Sequence, residues 1–195
     1  MNDQSTDSGR YRSAAITLHW IMAALILTQF FVAAYMGSQP DDSVAQDNVE
    51  KVHVSIGLTI FLFAVARLVV RLMYRAPPLP AGVPQWQRGL AKASHMTFYF
   101  LILAIPLTGW SLKSFFPRPI SFWGFEGWPR LPWFSSLPPE QGAPLYGQVE
   151  SFHGAMAGLL MLLLLLHVGA ALLHQFKGPP VLWRMLPFMR RPPNL

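Results

Sequence analysis

Four stretches of this chain carry no Asp, Glu, Lys or Arg, and that feature limits the folds open to it more than any other. They run from Ser13 to Pro40, Val52 to Ala66, Ala93 to Leu112 and Ser151 to Phe176. A helix needs about 20 apolar residues to cross the hydrocarbon core of a bilayer. The first, third and fourth stretches are long enough alone. The second is long enough if Arg67 is tolerated, because Leu68, Val69 and Val70 follow it. The expected fold is all-α, an integral membrane four-helix bundle forming one membrane domain over 1–195. Its spans fall near 14–37, 52–73, 93–113 and 152–175. A transmembrane β-barrel does not fit, since barrel strands alternate apolar and polar residues over about ten positions. A cleaved signal peptide does not fit the first stretch, which lacks an A-x-A-like site and holds His19 in its apolar run.

Charge placement sets the expected orientation, because cationic residues gather on the cytoplasmic side. Arg10 and Arg12 precede the first span. Arg71, Arg75, Arg88 and Lys92 lie between the second and third, with no acid among them. Lys177, Arg184, Arg190 and Arg191 fill the tail. Asp41, Asp42, Asp47 and Glu50 stand against Lys51 in the first loop. Four spans put both termini and the middle loop on one side, so both termini are expected in the cytoplasm and the 114–151 loop outside. The net charge of +6 is then a topology signal, and no nucleic-acid partner is expected. The 114–151 loop is rich in Pro, Gly and aromatic residues; it reads either as a cap on the outer membrane face or as an inert connection.

All six histidines, His19, His53, His95, His153, His167 and His174, lie in a span or at its end. Ionisable groups are costly there, which makes them functional candidates. Depth follows from a rise of about 1.5 Å per residue. His19 comes seven residues after Arg12 and His167 ten before Lys177, roughly 10 and 15 Å inside the same edge. His53 and His153 both sit close to the outer edge, beside Lys51 and Glu150. The four form two level pairs, His19 with His167 and His53 with His153. The last span contributes to both, from positions about 21 Å apart along the axis and within about 40° of one face. That arrangement suits two planar cofactors, each gripped by the last helix on one side and by the first or second on the other. A haem site in a bundle core has this form. Two imidazoles would leave the iron no open position, favouring electron transfer over oxygen binding.

Small residues near these histidines include Gly57, Gly154, Ala155, Ala157, Gly158, Gly169 and Ala170. They serve either close helix packing or clearance for a flat macrocycle. The absence of cysteine excludes thiolate-held clusters and covalent c-type haem. His95 and His174 lie about three residues from Lys92 and Lys177 and read as rim residues, for proton uptake or a quinone head group. Arg67 reaches the level of the His19/His167 pair, with no Asp or Glu in any span. It calls for an anion, a haem propionate or a lipid phosphate.

These features resemble the bacterial cytochrome b561 family of small di-haem membrane proteins. The resemblance rests on Leu18-His19-Trp20, His53 to Gly57, Arg67-Leu68, Arg71-Leu72, His95 through Tyr99 to Pro106 and Gly109, His153-Gly154, Leu166-His167, Ala170 to His174 and Arg184-Met185. It covers about Tyr11 to Met185 and implies two non-covalent b haems, ligated by His19 with His167 and by His53 with His153. It further implies location in a bacterial inner membrane and electron transfer linked to ubiquinone, with superoxide as the outer donor in some members. Lys51, Lys113, Arg118 and Arg130 are the outer cations that could attract such an anion. Two alternatives follow from the same residues: a cytochrome anchor passing electrons from a partner dehydrogenase or hydrogenase to quinone, and a non-haem, His-lined transporter or channel.

Overall fold

The structure is a computed structural model that describes residues 9–79 and 82–189; Arg190 and Arg191 lie outside the described residues. Four long helices dominate: α1 (Ser13–Met36), α2 (Val44–Met73), α3 (Gln85–Ser114) and α5 (Pro139–Lys177). A short hairpin, β1 (Ile120–Phe122) and β2 (Phe125–Trp128), and one helical turn, α4 (Pro132–Ser135), separate α3 from α5. All four long helices are long and apolar enough to cross a membrane.

Local chemistry accounts for the starts of α2 and α5. Ser43 caps α2 by accepting from the Gln46 N–H at 3.1 Å, and Asp47 lies in the first turn, where the helix dipole favours an anion. Pro139 opens α5, where its missing N–H costs nothing. Along the spans, Ser55, Thr59, Ser111 and Ser114 return their hydroxyl protons to the carbonyl four residues back, which satisfies these four donors in an apolar setting.

Close backbone packing runs from α1 to α2, α2 to α3 and α3 to α5. The core is built from Met22, Ile56, Ile60, Ala64, Leu101, Ile102 and Leu160. It occupies the middle of the bundle, with large apolar side chains such as Phe31, Leu165 and Phe176 turned outward. An outward apolar surface over four helices is what a lipid environment requires. The two ends of the bundle differ. At the terminal face the Tyr11 N–H reaches the Arg184 carbonyl, and Arg10 donates to the carbonyls of Leu186 and Pro187 at 2.8 and 2.7 Å. Arg184, only 4% exposed, donates to the carbonyls of Gly9, Pro77 and Pro78 at 2.7, 3.0 and 2.8 Å. It thereby straps the tail to the N-terminus and to the α2–α3 connection. Burial lowers its pKa below the usual arginine value, and three carbonyl acceptors offset the desolvation that causes the shift.

The opposite face carries the hairpin. Its two-residue tip, Trp123-Gly124, has φ of 50° and 86°, the left-handed pair of a tight primed turn. Glycine adopts that conformation freely, whereas Trp123 does not. Two hydrogen bonds to α2 hold Trp123 there: its N–H to the Ser55 hydroxyl and its indole N–H to the Thr59 hydroxyl, both at 3.0 Å. The 114–151 connection is thus an ordered element fastened to α2, with Trp110 and Trp128 stacked edge to face beneath it at 5.7 Å.

Candidate functional site

The structure brings the level histidines together across helices. The ring centroids of His19 (α1) and His167 (α5) are 6.3 Å apart. Those of His53 (α2) and His153 (α5) are 6.2 Å apart. Both pairs join α5 to helices against which its backbone does not pack as it does against α3. The apolar core separates the two levels: Met156, Leu160 and Leu163 fill α5 between His153 and His167, and Ile56, Ile60 and Ala64 fill α2 beyond His53.

The separations test what such pairs can hold. Metal–imidazole bonds of about 2.0–2.1 Å, the value for zinc, would put two rings on opposite sides of one metal about 6 Å apart by centroid. Both observed separations fit. No group of three or more His, Asp or Glu side chains suited to a bare metal ion occurs among the described residues. The donor set is therefore two paired imidazoles at each level, which suits a metal whose remaining ligands come from a macrocycle rather than from the protein. His53 adds a further sign, since its buried Nδ1 has no hydrogen-bond partner.

The environment of each ring is distinct. His153 Nδ1 lies 3.1 Å from the Ile105 carbonyl, which only accepts. It also lies 3.0 Å from the Thr108 hydroxyl, whose own proton goes to that same carbonyl. Nδ1 must therefore carry the proton, and the Nε2 lone pair is left for a ligand. Orientation of a ligating histidine through its second nitrogen is the usual arrangement in metal sites. Gly109 completes the seat. A Cβ at Gly109 would come 3.2 Å from His153 Cε1, so the ring lies against bare backbone on α3. Thr108, Ile105 and Gly109 in this role escaped the sequence reading, in which Gly109 served only the family resemblance. The signal that could have found them is Pro106, a helix-interior proline that loosens the local ladder of α3.

The inner pair is held otherwise. Arg67 donates from Nη1 to the Ala15 carbonyl and from Nη2 to His19 Nδ1, each at 3.2 Å. A guanidinium has no acceptor, so here Nδ1 of His19 supplies the lone pair. His167 is ringed by Phe98 at 5.4 Å and His95 at 6.1 Å. Counted from Lys92, His95 is expected at the rim, at a depth unlike the inner pair. The structure brings its ring against His167, with its Nδ1 2.6 Å from the Ala91 carbonyl. The discrepancy comes from using Lys92 as the depth marker: a lysine ammonium can snorkel to the interface from well inside the apolar region. His174 joins neither pair among the described ring contacts, and its ring lies against Gly178 at the end of α5.

On the hairpin face, Lys113 forms a 2.8 Å ion pair with Glu50, which spends its charge locally. Arg130 donates to the Phe116 carbonyl at 3.3 Å. Lys51 and Arg118 are exposed.

The chain is similar in sequence to known proteins. The family model described as Prokaryotic cytochrome b561 matches residues 10–188. Cytochrome b561 homolog 1 of Escherichia coli (strain K12) is 25% identical over 179 residues, covering 91% of this chain and 97% of that protein. The Probable superoxide oxidase CybB of Yersinia pestis is 25% identical over 184 residues, covering 93% and 98%. Cytochrome b561 homolog 2 of Escherichia coli (strain K12) is 26% identical over 171 residues, covering 86% and 85%.

Proposed function

The chain belongs to the prokaryotic cytochrome b561 family, and from that membership we propose that it is a di-haem b-type cytochrome moving electrons across a bacterial inner membrane. A membrane b-type cytochrome with a role in electron transfer is the coarse statement that family membership carries. The finer reading rests on one observation, the two imidazole pairs at separate levels of the bundle, each at a separation suited to a shared metal.

In this reading His53 and His153 hold one haem near the hairpin face, and His19 and His167 hold the second near the terminal face. Bound haem iron supplies one-electron chemistry between its ferric and ferrous states. The protein's part would be to present the paired histidine nitrogens, exclude water and set the spacing between the two levels. Thr108 and Ile105 keep the proton of His153 on Nδ1 and so direct Nε2 to the iron. The apolar core between the levels keeps water out of the path. Arg67 has a second duty. Ligation through Nε2 of His19 requires a proton on Nδ1, so its Nη2 must turn to another acceptor; a haem propionate supplies one.

The terminal face is cytoplasmic and the hairpin face periplasmic by the charge asymmetry. The donor is a periplasmic one-electron reductant, with superoxide favoured because one relative is named a superoxide oxidase. Two superoxide anions would each lose one electron and leave as dioxygen. Those two electrons and two protons would convert ubiquinone to ubiquinol. His95, exposed and beside His167, and His174 are the side chains placed to pass protons or hold the quinone head.

The decisive test is haem per chain in the purified protein and its single-histidine variants. The expected result is two haems, one after His53→Ala or His153→Ala, and two after His95→Ala. Two haems without His53 would overturn the ligand assignment, and a colourless folded protein would overturn the cytochrome. Superoxide-driven reduction of the preparation, followed by reoxidation with a ubiquinone analogue, tests the direction of flow.

A further inference from the structure

A cleft on the terminal face is lined by four arginines. Arg12 comes from the start of α1, Arg67 and Arg71 from the end of α2, and Arg75 from just beyond it, with Tyr11 and Tyr99 completing the wall. No carboxylate lines it among the described residues. Arg67 and Arg71 stand four residues apart on one helical face, a like-charge spacing that weakens a helix when nothing neutralises it. Arg67 is partly buried and forms the inner wall; Arg71 and Arg75 are exposed at the mouth. Neither Arg71 nor Arg75 has a hydrogen-bond or ion-pair partner among the described residues. Arg12 lies over the Tyr74 ring, 4.1 Å from its centroid, which keeps its guanidinium beside the cleft.

Further positive potential comes from α1. Its N-cap is Arg12, with no side-chain cap and no acidic residue in the first turn. The free N–H groups of that turn therefore add the positive end of a helix dipole where Arg12 and Ala15 line the wall.

We propose that this cleft binds the phosphate of an acidic phospholipid. Phosphate chemistry follows from the arginines, whose planar forks match its oxygens and are seldom gathered without an anion. A lipid source follows from position. Arg12 is the N-cap of α1 and Tyr74 the C-cap of α2, so the cleft opens where two candidate spans end, at the level of the head groups. Directly beside it, α2 presents Val69, Leu72 and Met73, exposed by 48%, 78% and 65%, as a surface for acyl chains. Basic pockets between spans at this level are a known means of holding acidic head groups. Arg67 is shared with the haem reading through its contact to His19, whereas Arg71 and Arg75 touch neither histidine pair and carry the phosphate contacts at the mouth.

The test is a thermal titration of the full detergent-solubilised protein with short-chain phosphatidylglycerol, phosphatidylcholine of the same chain length, and inorganic phosphate. Phosphatidylglycerol should raise the unfolding midpoint saturably, phosphatidylcholine should not, and phosphate should act only at far higher concentration. R71Q/R75Q should weaken the phosphatidylglycerol titration about thirtyfold, at about five- to sixfold for each charge removed. R71K/R75K should stay within a few-fold of the original, since it keeps both charges. Equal responses to the two lipids would overturn the proposal, as would a glutamine variant that is correctly helical and titrates unchanged. Phosphate acting at the same concentration as phosphatidylglycerol would make this a free-anion site and overturn the lipid assignment. The comparison of the three ligands on the unaltered protein decides the matter even where a variant fails to fold.

Discussion

Gly109→Ala tests whether α3 seats His153. A Cβ there would lie 3.2 Å from His153 Cε1, inside the 3.4–4 Å of ordinary contact. One of the two must yield by at least a few tenths of an ångström. The α3 backbone is held by its own helix, so the ring must give, and its bonds to Ile105 and Thr108 at 3.1 and 3.0 Å lengthen together. Overpacking of this kind costs about 1–3 kcal/mol. Expressed as weaker binding of the haem proposed for the His53/His153 pair, that is about 5- to 150-fold. The assay is haem loss to excess apomyoglobin, followed in the Soret band. One of two haems should leave the variant faster by that factor while the other leaves at the original rate. Gly89→Ala, on the same helix with nothing within 4 Å of its added Cβ, is the control and should match the original protein. Unchanged loss of both haems from Gly109→Ala would refute the seating argument, and equal acceleration of both would show a general loosening of the bundle instead.

Thr108→Val keeps the shape of the side chain but removes one acceptor from His153 Nδ1; haem affinity at that level should fall about tenfold, the low end for loss of a ligand-orienting partner, with the His19/His167 haem unaffected in a redox titration. Ser55→Ala removes the acceptor for the Trp123 N–H, at a cost of about 1 kcal/mol, and should speed hydrogen exchange over the hairpin while sparing the core of α2. Lys113→Ala breaks an ion pair that is partly open to solvent, so the midpoint of unfolding should move little, by the equivalent of about 0.2–1 kcal/mol at low salt. Arg184→Met leaves the carbonyls of Gly9, Pro77 and Pro78 without their donor. A loss of about 2–4 kcal/mol is expected, with limited proteolysis cutting the tail and the α2–α3 connection first.

How much of this was legible in the residue order depends on whether a feature belongs to one helix or to two. The four apolar stretches are properties of single segments, and composition alone makes them helices long enough for a bilayer. The spacing of His153 and His167 is likewise a property of one segment, because rise and rotation per residue are rigid within one helix. Counting residues therefore placed the same four histidines at matching heights that the structure brings ring to ring. The estimate failed for His95, where a flexible lysine stood in for the membrane edge.

Other features needed the helices to be set against one another. Which way α3 turns toward α5 decides that Thr108, Ile105 and Gly109 meet His153; within α3 alone Pro106 marks the region but not the partner. The reach of Arg67 to His19 and Ala15, the docking of Trp123 on Ser55 and Thr59, and the gathering of four arginines at one cleft are likewise contacts across elements distant in sequence. The chain by itself determined what its segments are and how polar residues are spaced along each, because helix geometry is local and nearly invariant. Only the tertiary structure decided which of those residues face each other, because the mutual rotation of packed helices is set by side-chain fit along their whole length.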